Sequence, residues 1–291
     1  MKSNLKKEVK TAYLFVSPLL LVIFIFVFIP ILGTCLNSFF QDIPFLPRKF
    51  VGIKNYIFLI KNQDFWVALR FTLLFTLVAV TLETVLGLSF ALLLKEKFPG
   101  RGILRTILLI PWAIPTVVSA RIWQLIYNYN YGLLNYILSS VGVSHKINWL
   151  GTSKSAFWAL VIADVWKTTP FVAIILLAGL QAIPDEIYKQ AKVDGARLMK
   201  RFLFITLPLL RPALMVALIF RTADSLRIFD LVYVLTGGGP AGATRTISIL
   251  GFQYYTSADF GLGAAVSFIT FLIVFIFSIF YIKLWGKRVY G

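Results

Sequence analysis

Four charged side chains of alternating sign lie in an apolar part of the sequence, within the stretch RTADSLRIFD. They follow one another at intervals of three residues and are Arg221, Asp224, Arg227 and Asp230. A charge near the centre of a bilayer costs about 2.5 to 3.5 kcal/mol, so these side chains must face protein or water. Guanidinium donors and carboxylate acceptors suit the hydroxyl groups of a sugar. The spacing fits a substrate pathway and a self-satisfying ladder of ion pairs equally well.

Other apolar segments of the sequence also contain charged and aromatic residues. Glu83 lies in one of them, and Asp164 precedes Lys167 by three residues in another, a spacing that predicts a structural ion pair. Tyr233 is an aromatic candidate for the substrate pathway, and Trp112 is one of several tryptophans with a ring on which a sugar could stack. Interfacial anchoring and helix packing explain such rings equally well.

The composition is that of a membrane protein. Of the 291 residues 59% are hydrophobic and 14% are charged, and the mean hydropathy is +0.83; soluble domains have about half apolar and about a quarter charged residues. Cys35 and His145 are the single cysteine and histidine, which excludes an internal disulfide, a Cys/His metal site and a histidine-dependent triad. We therefore expect an all-α polytopic membrane protein without a bound cofactor, metal or catalytic residue of its own.

Six hydrophobic segments approach or exceed the roughly 20 residues that a membrane-spanning helix needs. The first is too long for the apolar core of a signal peptide and has a proline, Pro30, at which we expect a kink. The third is interrupted by PWAIP at residues 111–115. We predict one transmembrane domain over residues 1–291, with spans at about 12–36, 67–94, 103–127, 155–180, 212–235 and 261–285.

The distribution of basic residues predicts the orientation. Lysine and arginine are concentrated in the N-terminal tail, in the second and fourth connections and in the C-terminal tail, although the first connection is also basic. Under the positive-inside rule, both termini and the connection at 181–211 face the cytoplasm of a multi-pass cell-membrane protein. This topology explains the formal net charge of +17 without a nucleic-acid partner.

The connection at 181–211 combines charges with an amphipathic pattern. Pro184 and the two acidic residues after it suit the first turn of a helix, Gly195 offers a bend, and Pro208 is expected to end a second short helix. On these features alone, the segment fits a helix pair lying on lipid headgroups.

The same connection resembles the coupling motif of binding-protein-dependent ABC import permeases. That motif has EAA, two further residues, DGA and a later I-x-LP, whereas this sequence has KQAKVDGA followed by ITLP; Lys189 and Gln190 replace the usual Glu and Ala. The similarity extends through FVGIKNY, GRGILRTILLIPWAIP, DVWKTTPF and the fifth-span stretch. The chain resembles the first of the two permease subunits of maltose, trehalose or glycerol-phosphate importers. The expected coupling residues are Tyr188, Ala191, Asp194, Gly195, Ala196, Ile205, Leu207 and Pro208.

The resemblance implies a type I importer domain and a set of partners. These are a second, homologous permease, two cytoplasmic ATPase subunits that hold ATP and magnesium, and an external solute-binding protein. A Gly-rich loop after the fifth span lacks the Lys-Ser/Thr ending of a P-loop. It is either a mobile external loop or a contact for the external partner, through Gly237, Gly238, Gly239 and Pro240.

Two other classes remain as alternatives. An ion-driven secondary transporter would use Glu83, Asp164 and the carboxylates of the fifth span as relays, and would not need a surface coupling segment. A membrane enzyme would need a clustered nucleophile and base, which the sequence does not offer. We expect a permease subunit that forms half of a pathway for a sugar, such as a di- or oligosaccharide, and hydrolyses no ATP itself.

Overall fold

The computed structural model describes residues 2–143 and 145–285, and these residues are mostly helical. A short antiparallel strand pair joins β1 (Phe40–Gln41) to β2 (Lys49–Phe50), with Phe40 opposite Phe50. The helices are α1 (Lys2–Ile23), α2 (Ile29–Asn37), α3 (Lys54–Lys61), α4 (Gln63–Lys95), α5 (Arg101–Ala113), α6 (Thr116–Ile126), α7 (Leu133–Ser140), α8 (Ser153–Gln181), α9 (Asp185–Val193), α10 (Leu198–Arg201), α11 (Leu207–Leu226), α12 (Asp230–Leu235), α13 (Ile247–Thr256) and α14 (Phe260–Trp285).

Several helical stretches are long and apolar enough to cross a membrane. Among the described residues there are five: Thr11–Asn37, Gln63–Lys95, Ser153–Gln181, Leu198–Leu226 and Phe260–Leu284. The helices α5 and α6 form a further candidate, bent by 94° at the predicted interruption. Ile114 is extended at this break, and Pro115, which follows, has no N–H to continue the helix.

The fifth apolar stretch differs from the predicted span at 212–235. The long helix ends at Leu226, and the amides of Arg227 and Ile228 form tight-turn hydrogen bonds of 3.2 Å to Asp224 and Ser225. The separate helix α12 then begins at Asp230. The apolar residues after Arg227 conceal this break, because hydrophobicity alone does not distinguish one long helix from two.

The prediction that Pro208 ends a short helix was wrong. A π-helical turn, Phe202–Thr206, joins α10 to α11, and Pro208 occupies the start of α11. The wider turn accommodates a proline that lacks an N–H and would crowd a regular turn. A second π-helical turn, Phe24–Phe28, lies just before Pro30 in the first stretch, where a kink was expected.

The described residues form two compact units. One comprises the described parts of Met1–Asn62 and Leu250–Phe271, and the other those of Gln63–Ile249 and Leu272–Gly291. In the second unit α4 packs along α8, and α11 packs against both helices. Close packing of α8 on α11 depends on Gly179, because an added Cβ there would lie 2.4 Å from the Cβ of Ala213.

Candidate functional site

A cavity of about 810 Å³ lies in the second unit, among α5, α6, α8, α11 and α12. Three of the predicted pathway residues, Asp224, Arg227 and Asp230, line it and are exposed. Aromatic side chains form much of the remaining wall, namely Trp112, Phe171, Phe220 and Phe229. The cavity therefore combines charged hydrogen-bonding groups with apolar rings, as is typical of small-molecule sites.

Arg221 also reaches the cavity but is buried in an ion cluster. Its Nε lies 2.6 Å from Glu83 Oε2, and its Nη2 lies 2.9 Å from Glu83 Oε1 and 3.2 Å from Asp164 Oδ2. Thr168 donates a further hydrogen bond of 2.7 Å to Glu83. This bidentate, fully surrounded guanidinium links α4, α8 and α11, so Arg221 stabilises the packing of three helices.

The predicted ladder of ion pairs is therefore only partly formed. Arg227 Nη2 lies 3.1 Å from Asp224 Oδ1, but Arg221 is 3.9 Å from the other oxygen of Asp224 and binds mainly Glu83 and Asp164. Asp230 follows the break in the helix, so the helical spacing from Arg227 does not continue to it. The pairing of Arg221 with Glu83 joins residues 138 positions apart, which spacing within one segment does not reveal.

The predicted ion pair between Asp164 and Lys167 is replaced by other contacts. The Nζ of Lys167 donates hydrogen bonds to the carbonyl oxygens of Ile114, at 2.7 Å, and Trp112, at 3.5 Å. Asp164 instead accepts from Arg221. The reason is geometric: the broken helix α5 presents unpaired carbonyl groups to Lys167, while Arg221 approaches Asp164 from another helix.

Tyr233, the fifth predicted pathway residue, lies on α12 and is half exposed. It stacks on Phe229, with ring centroids 5.2 Å apart, and Phe229 lines the cavity whereas Tyr233 does not. Phe171 and Phe220, two aromatic residues of the cavity wall, were not among the predicted site residues. The signal available was the recurrence of aromatic residues on α8 and α11, which packing explains equally well.

The connection at 181–211, the candidate coupling segment, forms the predicted first helix and bend, but its second helix, α10, continues through the π-helical turn into α11. Gly195 has φ of +74°, and a Cβ added there would meet no atom within 4 Å. The amide of Ala196 donates to the carbonyl of Ala191 at 2.9 Å, across the bend, and Ala191 is buried while Asp194 is exposed. The first part of the segment therefore ends in a left-handed glycine turn with an open outer surface.

The remaining coupling candidates connect this bend to the rest of the second unit. The hydroxyl groups of Tyr188 and Thr206 lie 3.1 Å apart, and the Nζ of Lys95 lies 3.8 Å from the centre of the Tyr188 ring. Three further candidates are half-buried at the junction with α11: Ile205, Leu207 and Pro208. Tyr188 thus ties α9 to both α4 and the π-helical turn that leads into α11.

The Gly-rich loop has a hydrogen-bonded base. The hydroxyl groups of Thr236 and Thr244 lie 2.8 Å apart, and Thr244 donates to the carbonyl of Gly239 at 2.6 Å. Arg245 forms an ion pair of 3.1 Å with Asp64 at the start of α4. Gly237 and Gly238 have φ values of +59° and +88°, which favour glycine. Gly237 is exposed, Gly238 is buried, and Gly239 and Pro240 are half-buried.

The described residues contain no group of three or more His, Cys, Asp or Glu side chains that could hold a metal ion. What they do contain is a set of apolar helices around a cavity with charged residues, and a bent polar connection between two of these helices. This arrangement defines a multi-pass membrane component with a solute-sized cavity.

The comparisons with known proteins give the family. The chain belongs to the family described as binding-protein-dependent transport system inner membrane component, which matches residues 83–284. It is a transport permease, as the resemblance in the coupling motif implied.

Two curated relatives are similar over most of their length. The trehalose/maltose transport system permease protein MalF of Thermococcus litoralis is 55% identical over 285 residues, covering 97% of this chain and 96% of that protein. The trehalose transport system permease protein SugA of Mycobacterium tuberculosis is 40% identical over 245 residues, covering 83% and 77% respectively.

A solved structure has the same fold. It is a chain of a bacterial alginate ABC transporter, crystallised in complex with an alginate pentasaccharide-bound periplasmic protein; the TM-score is 0.82 at 21% identity, covering 97% of this chain and 96% of that one. The predicted fold of a type I importer permease is thereby confirmed; it is mostly helical, with the short strand pair as its exception.

Proposed function

We propose that this chain is one of two membrane-spanning halves of an ATP-driven sugar importer. The observation that carries the proposal is the cavity of about 810 Å³, where the exposed Asp224, Arg227 and Asp230 face an aromatic wall. A sugar has hydroxyl groups for the charged residues and apolar ring faces for the aromatic ones. The relatives named for trehalose and maltose transport support a di- or oligosaccharide as the solute.

The energy for import would come from ATP and magnesium held by two cytoplasmic ATPase subunits. Closure of these subunits would move the segment around Asp194 and Gly195, and α9 and the start of α11 would transmit the motion to the cavity. The exposed bend and the contacts of Tyr188 with α4 and Thr206 support this role. Coupling in this mechanism requires that the ATPase contacts the segment differently in the two states of the transporter.

The remaining partners would be a second permease and an external solute-binding protein. The Gly-rich loop would contact the binding protein through the region of Gly237 and Pro240. Its hydrogen-bonded base supports this role, because an ordered loop loses less entropy when a partner binds. The positive-inside rule predicts that both termini and the coupling segment lie in the cytoplasm and that this loop lies outside.

Co-purification followed by ATPase assays tests the proposal. The chain, expressed with its neighbouring transport subunits, should purify as a complex whose ATPase activity rises with one or more members of a sugar panel in the presence of the binding protein. Liposomes containing the chain without ATPase subunits should show no uptake driven by a proton or sodium gradient. Gradient-driven uptake in those liposomes would instead identify an ion-driven secondary transporter.

A further inference from the structure

The bend between α5 and α6 is held by a side chain from another helix. Lys167, on α8, is only 8% exposed, and its Nζ donates to the carbonyl oxygens of Ile114 and Trp112. These carbonyl groups lie in the last turn of α5 and at the extended residue after it. The contact therefore lies at the point where the predicted third crossing turns by 94°.

The end of α5 needs such a donor. The last four carbonyl groups of a helix lack partners within the helix, and the residues that follow usually supply N–H groups. Here Pro115 has no N–H, and Ile114 is extended. A lysine ammonium at this position both donates hydrogen bonds and complements the negative end of the helix dipole.

The charge of Lys167 is balanced within the buried cluster. Glu83 and Asp164 are negative, Arg221 and Lys167 are positive, and all four are less than 9% exposed. Arg221 donates to both carboxyl groups of the cluster, and the ammonium group of Lys167 donates to the carbonyl groups of the bend. A lysine that served only to neutralise Asp164 would have no need of these contacts.

The bend in turn places two residues on the cavity wall. Trp112, before the bend, is 48% exposed and stacks on Phe171 with ring centroids 5.8 Å apart and an interplanar angle of 26°. Thr116, after the bend, also lines the cavity. A change in the bend would move Trp112 relative to the charged residues of α11 and α12.

We propose that Lys167 is a positioning residue for the solute site, which fixes the bend between α5 and α6 and, through it, the Trp112 ring against which a sugar stacks. The part that concerns the sugar rests on the proposed function. Lys167 is a cavity-lining residue, but its ammonium group binds the backbone of the bend, so its effect on the solute passes through Trp112.

A distance measurement tests the effect on the bend without any transport assay. Spin labels at Ile103 and Leu125, two exposed positions on either side of the bend, report its geometry in a Cys35→Ala background of the purified complex. The charge-neutral double variant Asp164→Asn/Lys167→Met should shift or broaden the distance distribution. Lys167→Arg and Lys154→Met should retain the parent distribution, since Lys154 is exposed on the same helix. Asp164→Asn alone gives the effect of the lost carboxylate, and it should shift the distribution less than the double variant does. An unchanged distribution in the double variant would overturn the proposal.

A mutant cycle with Trp112→Ala tests the effect on the solute. In the assembled complex, the lysine substitution is made in the Asp164→Asn background. Asp164→Asn/Lys167→Met should raise the sugar concentration for half-maximal ATPase stimulation by about two- to tenfold relative to Asp164→Asn, the range expected for one aromatic contact. The maximal rate should change much less, and Lys167→Arg should restore the parent value. In a Trp112→Ala background the lysine substitution should have no further effect.

The two measurements separate the possible failures. If the effects of the Lys167 and Trp112 substitutions simply multiply, Lys167 does not act through the ring, and the proposal is wrong. If the unsubstituted complex responds to no sugar, the proposed function fails, whereas the spin-label distances still decide whether Lys167 holds the bend.

Discussion

At the scale of single residues, Arg221 in α11 and Arg227 in the turn after it have different roles. Arg221 is bound by Glu83 and Asp164 in the protein interior, whereas Arg227 and Asp224 form a half-exposed pair. Arg221→Met should lower the free energy of unfolding by about 3 to 5 kcal/mol, because two carboxylates lose a buried partner. Arg227→Met should change it by about 1 kcal/mol or less. Thermal unfolding in detergent measures both, and equal losses would contradict the distinction.

Substitution of Asp224 distinguishes a role in solute binding from a role in the stability of the protein. Because its side chain is 54% exposed and its pair with Arg227 is weak, Asp224→Ala should leave assembly and unfolding temperature unchanged. Uptake and sugar-stimulated ATPase activity should fall at least about tenfold, since a buried or cavity-facing hydrogen bond to a charged group contributes about 1.5 to 3 kcal/mol. Asp224→Asn should retain part of the activity. Loss of the assembled complex would show that Asp224 is structural.

At the scale of elements, the bend at Gly195 depends on a left-handed backbone. Its φ of +74° costs other residues roughly 1 to 2 kcal/mol, although asparagine tolerates it. Gly195→Val should leave ATPase activity in the complex but reduce uptake, because the displaced bend no longer follows the ATPase. Gly195→Asn should behave as the parent protein. Parent-like uptake in the valine variant, with the protein inserted, would count against a coupling role.

The contact of α8 with α11 depends on the absence of one methyl group. Gly179→Ala would bring the new Cβ within 2.4 Å of the Cβ of Ala213, and such overpacking costs about 1 to 3 kcal/mol. The double variant Gly179→Ala/Ala213→Gly should recover most of the lost stability, because it moves the methyl group from α11 to α8 without adding a second one to the contact. Unfolding temperatures of the two variants check this, and a double variant no more stable than the single one would exclude the contact as the cause.

The elements also show what sequence patterns reveal. Long apolar runs predicted helical crossings, and DGA predicted the bend at Gly195, because both signals are local. The π-helical turn that accommodates Pro208 was not predictable, because a proline within a helical pattern normally ends or kinks the helix. The cluster of Glu83 with Arg221 was missed for a different reason: it depends on which helices pack together, and no spacing within one segment contains that information.

At the scale of the whole molecule, the orientation in the membrane is open to a direct test. Lys189 and Tyr131 are exposed and lie in connections predicted to face opposite sides. In a Cys35→Ala background, a membrane-impermeant maleimide added to intact cells should label Tyr131→Cys, and Lys189→Cys only after permeabilisation. The reverse pattern would place the coupling segment outside and contradict the importer mechanism.

The buried ion cluster also constrains how the chain is made. Glu83 leaves the ribosome 138 residues before Arg221, the cation that binds it in the finished protein. A lone carboxylate in the hydrocarbon interior is unfavourable by about 2.5 to 3.5 kcal/mol, so α4 carries this cost until a cation binds Glu83. Glu83 and Asp164 therefore gain their buried partner only after α11 has been synthesised, and we expect α4, α8 and α11 to reach their final packing only then.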